Sequence, residues 1–305
     1  MIFLDIMFKK SLTIFCYHDV TDTPSEFCRS YELSISPELF NNQINFIRNH
    51  FNVLNPCELL DDVILPNSAL ITFDDGYKSF ITNVIPILNK HQVPCLIFLN
   101  MGPIKGEVSL HGLTHYLCDK RKDFIPFLKK RIKLPYGRPP FLSCSKSIVN
   151  IYLDSIDKSF DKDVAEFVGP FLSIDDLKHA STNPLIYYGN HLFQHDVALL
   201  MSEKSLLDSF HKNNAELEKF PNYINFFSFP FGQPESCFSK KQIDLIFNNG
   251  AKKIFRSSGT INNNPSISYL DRITLDNKDS DSKKVLFNLF KSQLRTLKRK
   301  YFQIS

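Results

Sequence analysis

At 305 residues, with 43% hydrophobic and 22% charged residues, the chain has the balance of a soluble globular protein, long enough for one large domain or two ordinary ones. A formal net charge of +4 is small for that length and gives no reason to expect a nucleic-acid partner. The 29 Phe and 11 Tyr are read mostly as core volume, and with no Trp any sugar stacking falls to Tyr and Phe.

Met1 to Phe8 carries an acidic Asp5 and only a short apolar stretch before Lys9 and Lys10, unlike a signal peptide. No run approaches the ~20 apolar residues of a membrane span. The cysteines (Cys16, Cys28, Cys57, Cys95, Cys118, Cys144, Cys237) are odd in number, lack CxxC spacing and lie partly in apolar runs. Buried free thiols in a reducing compartment explain them better than disulfides, so a cytoplasmic location is expected.

In chain order, Leu12–Tyr17 is a continuous apolar run ending at His18-Asp19, which predicts a buried strand with polar residues at its carboxyl end. Ser36-Pro37 opens a helix, with Ser36 as N-cap and Phe40, Ile44 and Ile47 at helical spacing. Ser68–Phe73 is a second buried strand leading into Asp74-Asp75-Gly76, followed by a helix near Ser79–Lys90 and a strand at Cys95–Asn100. Strands are expected again at Leu185–Tyr188, Asn222–Phe229 and Lys252–Phe255. This alternation indicates an α/β fold with a parallel sheet, whose chemistry gathers at the carboxyl ends of the strands. Between 106 and 171 the alternation breaks, and helical patches such as Phe124–Ile132 and Asp161–Phe167 are read as an insertion capping the sheet edge. The whole chain is therefore taken as one domain with that insertion. The basic stretch 282–302 reads as an amphipathic helix with Val285, Leu286, Leu289, Phe290 and Leu294 on its apolar side. It is expected to pack on the domain, with weak contact to a membrane surface as the alternative.

Asp74-Asp75-Gly76 places two carboxylates side by side at a strand end, one able to bind a cation and the other to handle protons; by itself it is also an ordinary turn. His191-x3-His195 follows another strand, at a spacing that lets two imidazoles reach one metal ion. One carboxylate and two imidazoles leave coordination positions open, as in a catalytic site. Phe229-Pro230-Phe231-Gly232 is a turn that can aim a backbone N–H at a developing oxyanion, or simply close a strand.

Thr72-Phe73-Asp74-Asp75-Gly76, His191-x3-His195 and Phe229-Pro230-Phe231-Gly232 together resemble, in order and in strand-end position, the first three motifs of the polysaccharide deacetylase (NodB-homology, carbohydrate esterase family 4-like) family. Leu172–Leu177 and Met201–Phe220 resemble the helices that flank the second motif; the likeness spans residues 12–104 and 171–275. The resemblance implies a deformed (β/α)7-type barrel and a metal-dependent carbohydrate N-deacetylase. Asp74 becomes the general base, Asp75, His191 and His195 the ligands of a divalent ion, and the Phe231 amide an oxyanion donor. Zn2+ suits the donor set first, while Co2+, Ni2+, Mn2+ and Fe2+ also accept it.

The late Leu-x-His motif that often supplies the family's acid is missing, since no His follows His211. Tyr17-His18-Asp19-Val20 instead resembles the N-terminal Tyr-His motif of the branch that deacetylates poly-N-acetylglucosamine, which nominates His18 as general acid. Arg272, in Asp271-Arg272-Ile273, would keep Asp74 ionised and oriented, whereas Arg256 is read as equally well a surface residue. Asp196, where Pro is frequent in the family, is read as a cap for the next helix. The expected substrate is an N-acetylated sugar, as a sugar nucleotide, a lipid-linked sugar or an oligosaccharide of a surface-polysaccharide pathway. The alternatives are another non-peptide amide or formamido sugar on the same fold, or a non-catalytic sugar-binding relic.

Overall fold

The computed structural model describes residues 11–61, 65, 67–263 and 268–302, so the stretch Met1 to Phe8 lies outside the described residues. Its strands are β1 (Leu12–Tyr17), β2 (Asp19–Val20), β3 (Ser34–Ile35), β4 (Asn52–Val53), β5 (Ser68–Phe73) and β6 (Cys95–Leu99). They continue with β7 (Ile186–Asn190), β8 (Tyr223–Ser228), β9 (Lys253–Arg256), β10 (Tyr269–Asp271) and β11 (Ile273–Thr274). The main sheet is parallel and runs β10-β9-β8-β7-β6-β5-β1-β11, with β4 beside β5. The two ends of this path, β10 and β11, are joined in sequence through Arg272, so the sheet curls into a nearly closed barrel. Asn262 stitches the seam: its amide donates to the Leu12 and Asp271 carbonyls and its oxygen accepts from the Asp271 N–H. This is the parallel α/β sheet that the alternating pattern predicted, closed into the deformed (β/α) barrel that the family resemblance implied.

Because successive strand residues face opposite sides, each strand contributes one column inward. Leu12, Ile14, Leu70, Leu96, Phe226, Phe255 and Leu270 form one buried cluster drawn from strands all round the barrel, which is its interior. Toward the carboxyl ends the same columns turn polar, at Thr72, Asp74, Ser228 and Arg272, all buried. The opposite columns, including Phe15, Tyr17, Ile71, Phe73, Ile97 and Leu99, pack under the helices. An interior that is apolar at one end and polar at the other puts the chemistry at the carboxyl end.

Helices α1 (Glu26–Ser30) and α2 (Pro37–His50) precede α3 (Ile85–His91) and α4 (Met101–Ile104). Ser36 caps α2 as expected, its hydroxyl accepting from the Leu39 N–H at 3.1 Å. The stretch expected as one helix near 79–90 begins instead as a π-helical turn, Phe80–Val84, before α3. Pro86 has no N–H for an i→i−4 bond, and the wider turn accommodates it.

Within 106–171 lie α5 (Leu110–Lys120), α6 (Phe124–Lys129), α7 (Lys146–Ile156) and α8 (Asp161–Val168). They share a core of their own, with Leu117, Phe124, Leu128, Tyr152 and Phe167, closed against the barrel by Phe27, Cys28 and Tyr77. The chain then continues through α9 (Ile174–Ala180), α10 (Glu203–Leu217), α11 (Lys240–Asn248) and α12 (Ser282–Phe302).

The inward face of α12 is the expected one at Val285, Leu286 and Leu289 and departs from it beyond them. Val285, Leu289 and Ser292 are buried, whereas Phe290 and Leu294 point outward with Phe287 and Leu297. Small polar residues allow the helix to dock closely, and the Thr296 hydroxyl accepts from the Ile261 N–H at 2.9 Å. Among the described residues no helix is long and apolar enough to cross a membrane. All seven cysteines are free, five of them buried and Cys57 exposed.

Candidate active site at the carboxyl end of the barrel

The Asp74-Asp75-Gly76 turn leaves β5 through two left-handed residues, Asp75 at φ 73° and Gly76 at φ 87°. A left-handed aspartate is uncommon, and here it sends the two carboxylates to different partners. Asp74 turns toward the seam. Arg272 donates from Nη1 to Asp74 Oδ1 at 2.6 Å and from Nη2 to Oδ2 at 2.7 Å, a bidentate clamp. The same guanidinium reaches Ser228 Oγ at 2.9 Å and lies 5.4 Å from the Phe98 ring centroid, so it spans the barrel. Burial pushes the Asp74 pKa up, but Arg272, His191 and His18 outweigh it and hold the carboxyl below the usual range.

Asp75 faces the histidines. Its Oδ1 lies 3.2 Å from His195 Nε2 and 3.5 Å from His191 Nε2, and it accepts no hydrogen bond. His191 Nδ1 lies 2.8 Å from the Ser228 carbonyl oxygen. A carbonyl only accepts, so Nδ1 carries the hydrogen and Nε2 presents its lone pair to Asp75. Burial lowers the His191 pKa to about 4, keeping the ring in the neutral form that a ligand needs. Ligand atoms of Asp75, His191 and His195 all lie within 4.8 Å of one another. Two imidazoles and a carboxylate oxygen with no other partner fit a divalent cation.

The loop that carries the histidines is held by buried asparagines. Asn190 accepts from the Leu192 N–H and from the Asn213 amide, each at 2.8 Å, and donates to the Phe210 carbonyl at 2.9 Å. Asn100 donates to the carbonyls of His191 and Leu192. These bonds anchor the start of the loop in which Leu192 and His195 take φ of 63° and 56°. Asp196 caps nothing: α10 starts at an N-cap Ser202 and the preceding 3-10 turn at Val197. Burial instead raises the Asp196 pKa.

Phe231 and Gly232 are also left-handed, at φ 64° and 61°. A Cβ on Gly232 would stand 2.8 Å from the Ser257 backbone nitrogen, so only glycine fits there. Among the described residues no group accepts the Phe231 N–H.

His18 closes the opposite wall, with Nε2 3.9 Å from Asp74 Oδ2 and its side chain 22% exposed. Its neighbour Asp19 accepts from the hydroxyls of Ser34 and Ser79, which pins this segment to β3 and to the start of the 80–84 turn. Arg256 is half-buried and pairs with Asp271, one residue before Arg272. All seven nominated residues thus meet: Asp74, Asp75, His18, His191, His195 and Phe231 line one cleft of about 400 Å³, and Arg272 stands behind Asp74.

The chain matches the polysaccharide deacetylase family over residues 65–252, well over half its length. It belongs to that family. Solved structures agree on the fold of this polysaccharide deacetylase. The Streptococcus pyogenes deacetylase PplD in complex with acetate superimposes with a TM-score of 0.61 at 14% identity, covering 92% of this chain and 98% of that one. IcaB from Ammonifex degensii gives 0.58 at 17% identity, covering 90% and 96%. A de-N-acetylase from Aggregatibacter actinomycetemcomitans gives 0.59 at 16% identity, covering 92% and 100%. A search of curated proteins gave no match.

The polysaccharide deacetylase cleft also holds residues that the motif reading overlooked. His111 and His115 of α5, together with Phe141, enter it from the 106–171 segment. The His111 ring lies 4.4 Å from that of His195 and 4.9 Å from that of Phe231. A signal was present, because His111-x3-His115 repeats the spacing of His191-x3-His195. Unlike that pair, it follows no strand.

Proposed function

We propose that this polysaccharide deacetylase is a metal-dependent hydrolase that removes the N-acetyl group from an amino sugar of an uncharged glycan. The observation that carries the reading is the division of labour between adjacent carboxylates. Asp75 converges with His191 and His195, while Asp74 is clamped by Arg272 one residue away. A divalent ion held by the first group, Zn2+ first on its donors with Co2+, Ni2+, Mn2+ or Fe2+ also accommodated, would supply Lewis acidity toward water and the acyl carbonyl.

The remaining roles fall to the chain's own residues. Asp74, kept ionised by Arg272, takes the proton of the attacking water at Oδ2, the oxygen that faces His18. The Phe231 N–H donates to the acyl oxygen as it gains negative charge. His18, across the cleft, gives a proton to the departing sugar nitrogen, and the acetyl group leaves as acetate.

The wall of the cleft favours an uncharged substrate. Asp19, Glu32, Asp74, Asp75 and Asp276 contribute to it, and among the described residues lining it there is no Lys or Arg. A diphosphate, as in a sugar nucleotide or lipid-linked sugar, would find no lining cation free to bind it beyond the ion proposed at Asp75, since Arg272 is engaged by Asp74 and Lys278 by Glu32. The amine product suits those carboxylates. The test is acetate release from N-acetylated oligosaccharides and sugar nucleotides, with and without a chelator. Chelator-sensitive release, faster from the oligosaccharides, is expected; release that ignores the chelator would refute the metal's part. Release from none of the substrates would refute the activity.

A further inference from the structure

His111 and His115 sit one turn apart on α5, and both line the cleft. His115 is only 2% exposed, yet neither of its ring nitrogens has a hydrogen-bond partner. His111 Nδ1 is likewise buried and unpartnered. Each such group forfeits its solvation without compensation, and native interiors rarely leave polar atoms in that state unless water or a ligand completes them. An apolar ring would pack in the same place at no such cost. The His115 ring is 3.7 Å from Phe141, 4.3 Å from Tyr31 and 5.0 Å from Phe27 by ring centroids. His111 bridges it to the metal-ligand group, 4.3 Å from His115 and 4.4 Å from His195.

We propose that His111 and His115 form the substrate-recognition pair of this site, hydrogen-bonding hydroxyl groups of the sugar that lies across the insertion side of the cleft. The proposal rests on the N-deacetylase reading above and adds the residues that select its sugar. A neutral imidazole offers one donor and one acceptor, and so does a hydroxyl. An anionic group would need the charged ring, which the aromatic wall of Phe27, Tyr31 and Phe141 disfavours. Phe141 and Phe231 lie stacked 6.2 Å apart with ring planes 24° from each other, giving an apolar flank for the C–H face of a pyranose. The contact of His111 with His195 places the recognised sugar at the reacting residue or directly beside it.

His115→Phe is the decisive variant, because it keeps an aromatic ring in the same wall, does not touch a proposed metal ligand and removes both unpartnered nitrogens. With β-linked N-acetylglucosamine trisaccharides as the probe, KM for acetate release is expected to rise about 10-fold, the loss falling on KM rather than kcat. Bound metal, read by elemental analysis, is expected to stay at the wild-type level. His115→Asn, which restores a donor and an acceptor, should recover part of the loss. Calorimetric binding of the trisaccharide should weaken in parallel, a readout independent of turnover. If the wild type turns over the trisaccharide and His115→Phe has the same KM and melts at a higher temperature, the nitrogens serve only packing or water and the recognition pair is refuted. A wild type that neither binds nor turns over any saccharide refutes the deacetylase reading itself, and the pair with it.

Discussion

Arg272→Met tests whether the guanidinium works through Asp74. Arg272 is 1% exposed and Asp74 4%, so the substitution leaves a buried carboxylate without its bidentate partner. Breaking such a pair from one side costs about 3–5 kcal/mol. At about 2 °C per kcal/mol for a chain of this size, the melting temperature should fall by about 6–10 °C. In the metal-free protein the pH dependence should also change sign. The folded Asp74 pKa lies below its ordinary value. Its stabilisation is therefore present above the unfolded value of ~3.9 and is lost as pH falls through the folded pKa. Without Arg272 burial is no longer outweighed, and the folded pKa rises above the unfolded one. The variant should then lose stability as pH climbs from about 4 toward neutrality. Thermal melts of chelated protein from acid to neutral pH read both effects, and the acid limb of kcat/KM should move to higher pH in the metal-loaded enzyme. Arg272→Lys keeps a charge but not the fork, so it should regain stability before turnover. An Arg272→Met protein with wild-type melting and an unchanged acid limb would refute the coupling.

Asp74→Asn should keep its metal and lose about 10²–10⁴-fold in kcat, whereas Asp75→Ala or His191→Ala should lose the metal itself; full activity in Asp74→Asn would refute its role as base. His18→Ala should slow turnover by about 10²-fold or more without releasing metal, and stoichiometric metal loss would make His18 a ligand instead. Gly232→Ala must force a Cβ against Ser257 at a left-handed φ, so it should lower stability by about 1–3 kcal/mol and depress kcat more than it raises KM; a neutral effect would detach the turn from catalysis. The outward stripe of Phe287, Phe290, Leu294 and Leu297 on α12, beside Lys283, Lys284 and Lys291, should hold the protein on anionic vesicles if the helix meets a membrane surface. Co-sedimentation that is lost in Phe287→Ser/Phe290→Ser would support that contact; none in the wild type would exclude it.

The strands were legible because a buried parallel strand must be apolar on both faces, and Leu12–Tyr17 and Ser68–Phe73 have the bounds that their runs suggested. The site motifs were legible because a strand end followed by a fixed turn is a local arrangement: Asp74-Asp75-Gly76 and Phe231-Gly232 take left-handed conformations that the sequence itself marks with glycine. The Ser36 cap was local in the same way. What failed depended on distant partners. Phe290 and Leu294 have the spacing of a core stripe, yet they face outward because Ser292 and Thr296 let α12 dock on another face. Arg256 and Asp196 carried no local signal of their surroundings: Arg256 pairs with Asp271, 15 residues on, and Asp196 lies half-buried in the loop before α10.

The sequence by itself determined the barrel's main strands, the acidic turn after β5, the His191-x3-His195 spacing and the order of the motifs, since each follows from residues within a few positions of one another. Only the tertiary structure decided that Arg272, already expected near Asp74, grips both oxygens of that carboxylate across 198 residues of sequence, that Asp75 converges with His191 and His195, and that His111 lies beside His195 with His115 next to it. These depend on how the barrel closes and how the 106–171 helices lean over it. Closure is set by long-range register and packing, which no local pattern encodes.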